Sequence, residues 1–334
     1  MSDPVPRAVA NLRGLSRLAV AGVLGVTDVV DRMHHEIARS TRLVRATRDG
    51  RAVDLDDPVA MHALASSGRR PIVLVHGLCM HEGQWRRRGH DHGRALSRDL
   101  GATALHLRYN TGRHVSDNGR EFAELLERLT ARWPGGLDEL VIVGHSMGGL
   151  VARSACHHAQ QAGHRWLPRL RALACLGTPQ HGTVLERSGH VATTLLGFSR
   201  HAAPLAQLAQ ARSAGITDLR FGNVQAEDWS GRDRHAQARD DRRPTPLPPG
   251  VDVYLLAATR ASRRAPLHDR LVGDGLVPLP SALGEHPDPA LALHVPEARR
   301  CVVPAAGHWD LLHRPEAYAQ LRGWLRRPPR GRTR

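Results

Sequence analysis

Lysine is absent from this chain of 334 residues, so all 47 residues of its Lys+Arg total are arginine. Against 32 acidic residues they give a formal charge of +15. Such one-sided usage reads as genomic composition bias rather than as a surface built for a polyanion. The arginines are scattered, with local clusters such as those at 86–88, at 242–243 and in the tail from 326. Aromatic residues are scarce as well, at 4%. A nucleic-acid reader needs stacking platforms or a basic stripe on a known module, and neither is present, so nucleic acid is not an expected partner. Arginine charge still favours anionic lipid headgroups, which leaves peripheral membrane contact open.

Cysteine is equally sparse. Cys79, Cys156, Cys175 and Cys301 show no zinc-type spacing, and four in a chain this long do not make a disulfide framework. Cys175 and Cys301 fall in apolar runs, where a thiol behaves as a small hydrophobe. Long apolar runs are missing too. The stretch 18–26 is far short of the roughly 18 residues a membrane span needs, and no small-residue cleavage site follows it. A non-secreted, cytoplasmic chain with reduced thiols is the expectation. Histidine is plentiful, at 22, yet His35-Glu36 and His81-Glu82 lack the second histidine of a zincin motif. His34–His35, His157–His158 and His90-Asp91-His92 read as solvated histidines, so neither metal nor cofactor is expected.

What is present is a 41% hydrophobic chain with a change of pattern at Arg70. Residues 1–69 form a preface. Leu12, Leu15, Leu18, Val23, Val26, Val30 and Met33 recur at helical spacing, predicting an amphipathic helix over 7–39. It packs on the catalytic domain or, alternatively, serves as an interfacial anchor. Asp49-Gly50 predicts a turn and Asp57-Pro58 a helix start. From 70 to 330, short apolar runs at 71–76, 103–108, 139–143, 170–176, 251–257 and 300–303 alternate with helices at 121–132, 150–161 and 316–325. Wholly apolar strands separated by helices imply an α/β fold: a mostly parallel sheet covered on both faces. The stretch 180–250 breaks the alternation, offers no convincing strand, and reads as a cap or lid insertion. Helices are expected within 191–208.

The sharpest chemical signal is Gly144-His145-Ser146-Met147-Gly148, directly after one apolar strand and directly before a helix. A strand–turn–helix elbow exposes a serine hydroxyl at the sheet edge, with the positive end of the helix behind it. An oxyanion hole needs two converging N–H groups. Met147, after the nucleophile, supplies one, and Leu78, in the loop after Val75-His76-Gly77, supplies the other. His76 itself reads as a structural hydrogen bonder at the strand end.

Val75-His76-Gly77, the Gly144-to-Gly149 elbow and Leu176-Gly177-Thr178-Pro179 together resemble the lipase-like branch of the α/β-hydrolase superfamily. That branch includes bacterial triacylglycerol lipases and inositol-deacylase-like hydrolases, and the resemblance runs over about 70–326. It implies the order nucleophile, acid, histidine. Gly273-Asp274-Gly275-Leu276-Val277 resembles the family's acid-bearing segment, which implies Asp274 as the acid. Asp252 and Asp269 fit worse. His308, on the loop after the last strand, is the implied histidine, ahead of His286, His294 and His313. Some bacterial lipases place a calcium ligand where Asp310 stands; without a partner carboxylate, Asp310 reads instead as a helix-start residue. The expected activity is hydrolysis of small or lipid-like carboxylic esters by Ser146, Asp274 and His308. An acyltransferase or thioesterase using the same triad is the alternative, and a catalytically silent binding protein of the same fold a third. Oligomeric state is not written in the sequence.

Overall fold

A computed structural model describes residues 44–66, 68–183, 213–231, 240–263, 269 and 271–326. The helix expected over 7–39 and those expected within 191–208 lie outside the described residues. All the described residues except Ser213 fall in one compact unit. Its centre is an eight-stranded sheet in the order β10-β9-β8-β7-β3-β6-β1-β2. The strands are β1 (Arg45–Arg48), β2 (Arg51–Ala52), β3 (Pro71–Val75), β6 (Thr103–Arg108), β7 (Leu140–His145), β8 (Leu170–Leu176), β9 (Asp252–Ala258) and β10 (Arg300–Val303). A separate two-stranded hairpin joins β4 (Arg86–Arg87) to β5 (His90–Asp91).

From β6 to β10 every pairing is parallel. Strands β3, β7 and β9 are buried at every residue, as continuous apolar runs require of a sheet covered on both faces. All six strands expected from the sequence are present. The sheet also begins earlier than the expected boundary at Arg70. β1 and β2 pair antiparallel, and β1 continues antiparallel onto β6. Two and four residues rich in arginine carry no apolar run, so composition concealed these edge strands. The Asp57-Pro58 helix start is real: α1 (Pro58–Ala65) is capped by Asp57, whose side chain accepts from the Val59 N–H.

Helices α3 (Val115–Arg132) and α4 (Met147–Ala162) pack against each other, and α4 lies on β7. Helix α2 (His92–Leu100) packs on β6, and α7 (Pro315–Leu325) packs on α2. The core beneath α7 includes Ile72, Leu74, Val143, Leu256 and Trp324, with Tyr254 stacked on Trp324 at 4.9 Å. Helix α3 begins six residues before the expected 121. Its first turn is capped from afar, because the Asp218 carboxylate accepts from the Val115 N–H at 2.7 Å. In the stretch expected as an insertion, the described residues hold the short helix α5 (Ala214–Asp218) and no strand. Between β9 and β10 the one regular helix described is α6 (Leu279–Ala282).

Candidate active site

The sequence-predicted residues follow the carboxyl ends of strands: Leu78 after β3, Ser146 and Met147 after β7, Asp274 in the segment after β9 and His308 after β10. Ser146 stands between β7 and α4 with φ 55° and ψ −127°, backbone that a residue with a side chain rarely adopts. Its N–H donates to Leu176 O at 2.8 Å, which ties the elbow to the end of β8. Just beyond lies Gly177, with φ 56°, where a Cβ would come within 3.1 Å of His308 Nδ1 and Cε1. Only a bare backbone allows the imidazole to sit so close. Ser146 and His308 thus flank the same two residues, Leu176 and Gly177.

Asp274 and His308 meet in a buried pair: Nδ1 of His308 lies 2.7 Å from Asp274 Oδ2, with side chains 2% and 1% exposed. The other carboxylate oxygen, Oδ1, accepts the N–H groups of Leu276 at 2.9 Å and Val277 at 2.8 Å. The His308 N–H donates to Asp274 O at 3.1 Å. A carboxylate can only accept, so a ring proton sits on Nδ1, and in the neutral imidazole Nε2 carries the lone pair. That Nε2 is buried and has no hydrogen-bond partner among the described residues.

The loop after β3 comes over the serine. A Cβ on Gly77 would lie 2.9 Å from Ser146 Cβ. Leu78 is buried in this loop, and Met147 is the first residue of α4, so its N–H has no acceptor one turn back. His76 is buried and stacked on Tyr109 at 4.3 Å, and Tyr109 Oη donates to His76 O at 2.6 Å. Burial pushes the His76 imidazole down to about 4.

The rival residues lie in other arrangements. Asp252 pairs with Arg299 at 2.5 Å, and Asp269 accepts from Thr259 Oγ1 at 2.6 Å. His286 sits 3.4 Å from Asp240, and His313 3.5 Å from Asp310. Asp310 caps the turn that begins at His308 by accepting the Gly307 N–H at 2.8 Å. Among the described residues no group of three or more His, Cys, Asp or Glu could hold a metal ion. No described helix is long and apolar enough to cross a membrane. A cleft of about 870 Å³ lies between α2 and the β1–β2 turn, and its arginines are largely paired, Arg94 with Asp49 at 3.7 Å and Arg108 with Glu82.

One residue at the site went unread in the sequence. His145, inside the serine motif, is fully buried, and its Nε2 lies 3.3 Å from His308 O. Its place beside the nucleophile was visible; its contact with a loop 163 positions away was not.

Comparison with known proteins agrees with this architecture. A profile described as Alpha/beta hydrolase family matches residues 72–321. No curated protein sequence matches the chain. Among solved structures, the lipase BlEst2 of Bacillus licheniformis in mature form is 19% identical. The match covers 76% of this chain and 90% of that one, with a TM-score of 0.49. Its propeptide form gives 19%, 75%, 50% and 0.50 for the same four measures. The esterase Pf2001 of Pyrococcus furiosus is 12% identical over 77% of this chain and 82% of its own, with a TM-score of 0.44. At such identities the likeness is one of fold.

Proposed function

The chain belongs to the alpha/beta hydrolase family, and from that premise we propose that it is a serine hydrolase of carboxylic esters working through an acyl-enzyme. Ser146 is the nucleophile, His308 the general base and acid, and Asp274 the residue that orients the imidazole. The observation that carries this reading is the buried Asp274–His308 pair, which leaves only Nε2 of His308 free to take a proton. In acylation, Nε2 takes the hydroxyl proton as Oγ attacks the acyl carbon. The Leu78 and Met147 N–H groups hold the oxyanion, and the positive end of α4 adds to the field. Collapse expels the alkoxide, which leaves as the alcohol with the proton from Nε2. Water then attacks the acyl-serine, giving its proton to His308, and the carboxylic acid departs as Ser146 is restored. Asp274 stabilises the imidazolium at both steps.

Small or lipid-like esters are the substrate class. A fluorophosphonate probe tests the nucleophile: it should label the wild type and spare Ser146→Ala, whereas equal labelling would sink the scheme. Hydrolysis of p-nitrophenyl esters of rising acyl length, with and without added alcohol, then reads chain-length preference and the acceptor that relieves the acyl-enzyme.

A further inference from the structure

The short turn His308–Leu312 that carries the base has weak means of holding itself in place. It is a single 3₁₀ segment, and 3₁₀ hydrogen bonds are of poorer geometry than those of an α-helix. Two imidazoles from distant elements reach its carbonyl groups. His145, at the end of β7, places Nε2 3.3 Å from His308 O. His92, the first residue of α2, places Nε2 2.9 Å from Leu311 O. Nδ1 of His92 in turn lies 2.7 Å from His90 Nε2.

Carbonyl oxygens only accept, so both struts carry their proton on Nε2. His92 Nδ1 is then a lone pair and accepts from His90 Nε2–H, giving a directed chain His90 to His92 to Leu311 O. Burial among aromatic rings closes water off from His92 and His145. Trp85 lies 6.1 Å from His92 and 6.3 Å from His145 between ring centroids. Trp309 lies 5.6 Å from His145, and Tyr318 stacks on His92 at 5.6 Å. Burial accordingly pushes His92 down to about 4, and His145 well below its ordinary value with the neighbouring His308 adding to the effect. Both are neutral donors at neutral pH.

We propose that His145 and the His90–His92 pair are positioning residues for the base: two neutral imidazole struts that set where His308 Nε2 stands relative to Ser146. The proposal rests on the reading of His308 as the base. Its N–H is held by Asp274 O, its Nδ1 by Asp274 Oδ2 and its carbonyl by His145, so only the reactive nitrogen is unheld. His145 is the residue before the nucleophile, and its strut couples the serine's own strand to the loop of the base. The histidines at 90 and 92, expected as solvated, take part in the same support.

The test compares His145→Leu, which keeps bulk and loses the donor, with His145→Gln, which restores an N–H near the Nε2 position. Measurements are kcat, KM, the rate of fluorophosphonate labelling and Tm. The expected result for His145→Leu is a fall in kcat and labelling rate of about 10- to 100-fold with KM little changed, as displacement by about 1 Å produces. His145→Gln should recover most of that loss, and His92→Leu should show a smaller fall of the same kind. Wild-type kcat and labelling in His145→Leu would overturn the proposal. So would a His145→Gln variant as slow as His145→Leu with the same loss of Tm, because that is the mark of packing alone. Should His145→Leu not fold, the pair His92→Leu and His92→Gln carries the same comparison. His308→Ala separates the two failures: activity retained there sinks the reading of the base, whereas activity lost there alongside an unaffected His145→Leu sinks only the struts.

Discussion

The two halves of the candidate site are held in different ways. The nucleophile half, β3 and β7 with their following loops, is held by backbone: buried parallel strands, the Ser146 N–H on Leu176 O, and a glycine, Gly77, in the loop that approaches the serine. The base half, from β9 to the turn at His308, adds side chains to its backbone bonds: a carboxylate on an imidazole, two more imidazoles on carbonyls, and Asp310 on the Gly307 N–H. Backbone placement is fixed by contiguous sequence, whereas side-chain placement depends on residues far apart in the chain. The first half should therefore tolerate change in its side chains, and the second should not.

The largest test of that contrast takes one reacting group from each half. Ser146→Ala and His308→Ala should each lower kcat by about 10⁶, and the double variant should be no slower than either, because the two groups act as one unit. Clearly additive losses in steady-state ester hydrolysis would show that the halves do not work together. Asp274→Asn comes next, with an expected loss in kcat of about 10⁴ through the wrong imidazole tautomer. Its amide oxygen can still accept the Leu276 and Val277 N–H groups, so Tm should change little. A large fall in Tm would mean that the carboxylate serves the fold of the turn rather than the imidazole.

A smaller effect is expected on acid stability. His92 is held neutral, with its value lowered from 6.5 to about 4 by burial. Between those values the unfolded chain binds the proton and the folded one does not, so stability present above pH 6.5 is lost as pH falls towards 4. At pH 5 this one histidine contributes a loss of about 2 kcal/mol relative to pH 7.5. His76, also lowered to about 4, adds a similar sensitivity in the nucleophile half. His92→Gln, which keeps a donor for Leu311 O without titrating, should remove its share when urea unfolding is compared at the two pH values. An unchanged pH dependence would place His92 outside the buried network.

The same contrast explains what could be read from sequence. Strand β3 was legible because a strand buried on both faces must be apolar throughout, and β8 and β10 because only a single arginine interrupts each apolar run. Ser146 was legible because its motif is contiguous. Asp274 and His308 could be named only from the order implied by a family resemblance; nothing near either residue announces the 2.7 Å contact between them. Helix α2 was overlooked although its signals are local: Asp91 caps it by accepting the Arg94 N–H at 3.0 Å, and Gly101 ends it with φ 62°. There, His90-Asp91-His92 drew attention as a metal-like pattern and the cap went unnoticed. The start of α3 was hidden for the opposite reason, since its capping carboxylate, Asp218, lies about a hundred positions away.

The smallest expected effect on rate sharpens the contrast from the other side. Leu78 is buried, 3% exposed, in the loop that comes over Ser146. If its N–H is the oxyanion donor, the side chain takes no part in the chemistry, and Leu78→Ala should leave kcat per folded molecule within a few-fold. The same change empties space in a packed region, so stability should fall by about 2–5 kcal/mol, read as a lower urea midpoint. Loss of stability with little loss of rate is what backbone-built chemistry predicts, because the amide stays where the strand and the turn put it. A fall in kcat of about 100-fold, the size expected when an oxyanion donor is removed, would mean that this amide is placed by its side chain after all. The nucleophile half would then share the dependence on distant packing that marks the base half.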